Sequence, residues 1–82
     1  MLPVIKGFFW TEIKGIHFLA EEGTERVKYI TVPDTQMPGV TEVKLCAENK
    51  IIAVLLSEQK AFEFCAYLIE TQQAKCTVDR SK

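Results

Sequence analysis

The residues best equipped for chemistry in this 82-residue chain are three cysteines and one histidine. By count, Cys46, Cys65, Cys76 and His17 make a Cys₃His zinc set. The spacing argues against it. Structural zinc sites bring their ligands in short pairs such as C-x₂-C, each sulfur about 2.3 Å from the metal. Here the cysteines lie 19 and 11 positions apart. Cys65 and Cys76 share one face of a helical pattern, where that separation rises about 16 Å. They can neither share a zinc nor close a disulfide, whose Cα atoms lie within about 7 Å of each other. No metal and no cofactor is expected.

A cysteine nucleophile needs a thiol of lowered pKa, beside a cation or at a helix N-terminus. Cys65 falls two turns into the helical pattern on its apolar stripe. Cys76 falls near the end of that pattern, where the helix dipole disfavours a thiolate. Cys46 falls in a strand-like run and could face His17, although nothing in the sequence requires it. Buried cysteine is an ordinary core residue, and His17, between Ile16 and Phe18, reads as a partly buried strand residue. Glu21, Glu22 and Glu25 sit in a turn, where carboxylates are solvated. The four glycines are scattered, and none joins a Lys and a Ser or Thr as a phosphate loop requires. No catalytic residue is assigned, and the chain is not read as an enzyme.

Composition narrows the remaining classes. The chain is 48% hydrophobic and 26% charged, which suits one globular domain over residues 1–82. Ten basic residues against eleven acidic ones, scattered along the chain, leave no basic footprint for nucleic acid. The longest apolar run, Ile51 to Leu56, is far short of the roughly 20 residues of a membrane span. Lys6 interrupts the only candidate for a secretory signal. Three cysteines are not a disulfide framework. A cytoplasmic protein is expected.

Turn signals then set the elements. Glu21–Glu25 (EEGTE) suits a hairpin connection. Pro33–Gly39 (PDTQMPG) is a loop framed by prolines, with Pro38-Gly39 placed for a type II turn. Glu48–Lys50 (ENK) is a tight connection. Between them, RVKYITV, VTEVKLCA and IIAVLL are β-branched and strand-length. At the start, IKGFFW is echoed eight positions later by IKGIHF. The echo is read as two strands of one pattern, about Val4–Thr11 and Ile16–Glu21, joined by a turn over Glu12–Gly15. One long strand bent at Gly15 is the alternative. After Ser57, a good N-cap, the period becomes helical. Ala61, Phe62, Cys65, Leu68, Ile69, Gln72 and Cys76 form one stripe, with Phe64 and Ala66 at its edges. A helix is expected over about Glu58–Lys75, with a frayed tail from about residue 77. The fold class is α+β: a small antiparallel meander of about five strands, flat or curled, with one C-terminal amphipathic helix packed on one face.

One helix covers one face of such a sheet, yet the strands are apolar on both sides. Alternation sends Phe8 and Trp10 one way and Phe9 the other. It sets Ile51, Ala53 and Leu55 against Ile52, Val54 and Leu56, and Val27 and Tyr29 against Ile30 and Val32. The face left over must be covered by curling or by another molecule. The function expected is a protein–protein interaction module: an adaptor, a subunit, or a blocking inhibitor of the kind phages and mobile elements encode. An isologous homodimer is the simplest cover. Candidate partner-binding residues are Phe8, Phe9, Trp10, Tyr29, Asp34 and Met37. The alternative is a small-ligand domain with a pocket between curled sheet and helix, lined by Phe8, Trp10 and Tyr29.

Overall fold

The computed structural model describes residues 2–80, with side chains described through residue 72. Five strands form one antiparallel sheet in chain order: β1 (Phe8–Ile13), β2 (Ile16–Glu21), β3 (Val27–Pro33), β4 (Thr41–Leu45) and β5 (Lys50–Leu55). The helix α1 (Glu58–Arg80) follows and packs across one face. This is the expected meander-plus-helix architecture. The sheet does not close on itself, because β1 and β5 remain its two edges.

The IKG echo marks two turns. Gly7 and Gly15 both lie in the left-handed region, at φ +85° and +82°. Ile5-Lys6-Gly7 makes a turn closed by the Phe8 N–H donating to the Ile5 carbonyl at 3.0 Å, and this turn starts β1. Ile13 pairs with Ile16, so Lys14-Gly15 is a two-residue hairpin loop. Lys14 also has positive φ, at 53°. Two such residues in sequence give the type I′ turn, whose twist matches that of the strands it joins. The first strand therefore starts and ends later than Val4–Thr11, because Gly7 breaks the chain before Phe8.

Other connections follow their residue types. The Asp34 carboxylate accepts from the N–H groups of Gln36 (2.7 Å) and Met37 (3.1 Å). The Val40 N–H donates to the Met37 carbonyl at 3.1 Å with Gly39 at φ +88°, the arrangement of a type II turn. Cys46 does not lie in a strand. Cys46–Glu48 forms a single 3-10 turn that ends on Asn49 in the left-handed region, a conformation Asn tolerates better than most residues.

Ser57 caps α1, its hydroxyl accepting from the Lys60 N–H at 3.1 Å. Ala61, Phe62, Cys65 and Ile69 are buried, and Leu68, Phe64 and Ala66 pack around them. The helix is five residues longer than Glu58–Lys75. Cys76 and the tail from residue 77 have side chains outside the described set. Gln72, an odd member of an apolar stripe, donates through Nε2 to the Tyr29 hydroxyl at 3.1 Å. Its partner is a side chain of the sheet, which ties the fourth turn of α1 to β3.

Candidate interaction face

Register decides which side chains meet the helix. Trp10 opposes Leu19, Leu19 opposes Tyr29, Tyr29 opposes Leu45, and Val43 opposes Ala53. Directly opposed residues share a face, and this one is the core face. Trp10 stacks edge-on against Phe62 at 5.2 Å, and its indole N–H donates to the Pro3 carbonyl at 3.0 Å.

The other face carries Phe9, Ile13, Phe18, Ile30, Val32 and Val54, together with Glu42 and Lys44 of β4. Two bulges change its membership from simple alternation. Leu19 pairs with Tyr29 but Ala20 with Val27, so Lys28 is the extra residue on β3. Val43 pairs with Ala53 but Lys44 with Ile51, so Ile52 is the extra residue on β5. Val27 and Ile51 therefore stand on the open face, and not with Tyr29 and Ala53 as alternation predicts. A bulge inserts one residue and resets the alternation beyond it.

The exposures are large for apolar residues: Phe9 37%, Ile13 56% and Val54 57%. An open hollow of about 450 Å³ lies on this face between Phe9, Ile13, Phe18, Ala20 and Val27, with Thr11 and Glu25 at its sides. A second hollow of about 230 Å³ lies at the rim, between Val32, Glu42 and the start of the Pro33–Thr35 segment. The loop that carries Met37, itself 58% exposed, continues from there.

The candidate residues thus divide. Phe9 is on the open face, Met37 is exposed in the adjoining loop, and Asp34 holds that loop in shape. Phe8 and Trp10 pack against the core from the helix side. Tyr29, 2% exposed, belongs to the core itself. Trp10 and Tyr29 meet the helix through Phe62 and Gln72, while Phe8 lines a hollow of about 220 Å³ together with Glu21, Arg26, Lys28 and Leu45. Ile13, Val54, Glu42 and Lys44 are further members of the face. Ile13 escaped notice because its segment reads as a turn, and the other three because their facing depends on register.

No protein-family model, curated protein or solved structure matches this chain.

The chain's chemistry is sparse. His17 sits against Phe62 at 4.8 Å, with Nδ1 3.7 Å from a Glu58 oxygen and Nε2 3.8 Å from a Glu12 oxygen. It opposes Thr31, and among the described residues neither His17 Nδ1 nor Thr31 Oγ1 finds a hydrogen-bond partner. His17 thus lies between a carboxylate of β1 and one at the start of α1. Cys46 is remote from it: the 3-10 turn follows Leu45, which opposes Tyr29, while His17 opposes Thr31 two strands away. Strand spacing alone puts them roughly 10 Å apart or more. Cys65 is fully buried, and burial pushes its thiol from the ordinary 9.0 up to about 12. Such a thiol is the opposite of an activated nucleophile. Among the described residues, no group of three or more His, Cys, Asp or Glu is placed to hold a metal ion. Among them too, no helix is long and apolar enough to cross a membrane.

Proposed function

We propose that this chain is a small protein-binding module that works by laying its open sheet face on another protein surface, as an adaptor, a subunit or a blocking inhibitor. One observation carries the reading. The face opposite α1 is apolar, and Phe9, Ile13 and Val54 stay between 37% and 57% exposed with no element of the described chain over them. Exposed apolar patches of this kind mark interaction sites in soluble proteins. Aromatic and Met side chains are enriched at such sites, and Phe9 and Met37 supply them here. The setting proposed is the cytoplasm, where thiols such as those of Cys46 and Cys65 stay free. No catalytic step is assigned to the chain.

The small-ligand reading is the weaker one. Two of its aromatics, Trp10 and Tyr29, are engaged with Phe62 and Gln72 of the helix, and the 450 Å³ hollow belongs to the open face. The test is site-specific photo-crosslinking in cells. A photoreactive residue at Val54 or Phe9 should give adducts with a polypeptide, and the same residue at Glu63, on the outer side of α1, should not. Equal labelling from both sides, or none from the sheet, would overturn the proposal.

A further inference from the structure

Strand β4 sets two charges of opposite sign in the middle of the apolar open face, apart from Glu25 at the side of the hollow. Glu42 lies between Val32 and Val54, and Lys44 lies between Ile30 and Ile51. Both are half-buried. Among the described residues the ion pairs are those of His17, and neither Glu42 nor Lys44 belongs to them. Two residues apart on one strand, their Cα atoms are about 7 Å from each other along β4.

We infer that the occupant of this face is a second copy of the chain, packed sheet on sheet, with Glu42 of each copy against Lys44 of the other. The inference rests on the reading that this face binds protein, and it names the partner. Charge selects the symmetry. A two-fold axis lying between the sheets and parallel to the strands would set Glu42 on Glu42 and Lys44 on Lys44. An axis running across the strands above Val43 exchanges the two positions and pairs opposite charges twice. The two sheets are then aligned, as in ordinary sheet sandwiches, about 10 Å apart. An isologous contact of this kind needs a surface complementary to itself. An apolar field with one acid and one base placed symmetrically about a point is such a surface.

Size sets the expected strength. Five strands of about six residues make a face of about 20 by 20 Å. Covering it on both copies removes roughly 800–1,000 Å² from water, below the roughly 1,200 Å² of stable specific interfaces and in the range of weak, transient ones. Self-association is therefore concentration-dependent. The charge pairs fix register more than they add affinity, since each must be desolvated to form.

The experiment is charge exchange, read by sedimentation equilibrium or light scattering, with circular dichroism confirming that each variant stays folded. The native chain should shift with concentration from 9.3 kDa toward twice that mass. Glu42→Lys alone and Lys44→Glu alone should each weaken self-association by roughly tenfold or more, because like charges then meet. An equimolar mixture of the two variants should associate again, and the double variant E42K/K44E should behave as the native chain does. A dimer that survives both single reversals is joined elsewhere, as through the edge strand β5, and overturns the inference. A native chain that stays at 9.3 kDa up to its solubility limit also overturns it. If Val54 then still crosslinks to a different protein, the broader reading of the face stands without it.

Discussion

At the scale of single residues, burial decides what the reactive side chains do. Cys65 meets Ala61 and Ile69 on the core side of α1 and is fully buried. Desolvation raises its folded pKa from 9.0 to about 12, and desolvation also raises that of Tyr29 above 10.0. Both groups are neutral when protonated, and the unfolded chain loses each proton at lower pH than the folded one. The contribution of these two groups to stability is therefore complete below about pH 9 and is lost as pH rises toward 12. Cys65→Ala removes one of the two proton-linked slopes while opening a small cavity. Its denaturation midpoint should be lower at pH 7 but fall less steeply above pH 9, which urea titrations over a pH series would show. A parallel fall in the two proteins would mean that the thiol does not titrate with unfolding.

At the scale of elements, the parts legible in the sequence were those with local signatures. The Ser57 cap, the helical stripe from Ala61 to Gln72 and the Pro38-Gly39 turn each depend on residues within a few positions, and all three form as read. The unread parts depend on pairing. Lys28 and Ile52 are bulge residues, yet nothing in their type announces it. Each sends a flanking apolar side chain to the other face. The β1–β2 turn falls one residue later than Glu12–Gly15, and Lys14 is not the Asn or Asp that usually signals a type I′ loop. That mismatch gives a prediction. Lys14→Asn should stabilise the chain by about 0.5–1 kcal/mol, and Gly15→Ala should cost about 1 kcal/mol, read from chemical-denaturation midpoints. The helix phase gives another. Ile69→Ala, at a position 2% exposed, should cost about 2–5 kcal/mol, and Tyr67→Ala, at a position 62% exposed, well under 1 kcal/mol. Equal losses would place the helix in the wrong rotation on the sheet.

At the scale of the whole molecule, one helix and five strands leave a two-sided sheet with one covered side. The FFW triplet shows the division most directly. Trp10 is held by Phe62 and by the Pro3 carbonyl, so it is part of what keeps the chain folded. Phe9, its neighbour, points to the open face and is 37% exposed. Trp10→Ala should therefore cost about 3 kcal/mol of stability in the isolated chain. Phe9→Glu should change the stability of the dilute chain by no more than about 0.5 kcal/mol, while abolishing contact with whatever covers the face. Concentration separates the two effects. If the face joins two copies, the native chain's thermal midpoint rises with concentration, because association stabilises only the folded form. The Phe9→Glu midpoint should stay constant over the same range, and that of Trp10→Ala should be lower throughout yet keep its rise. If Phe9→Glu instead unfolded the dilute chain as far as Trp10→Ala does, the open face would be part of the core that the single chain needs. Its apolar residues would then serve folding first, and the division between a holding face and a binding face would fail.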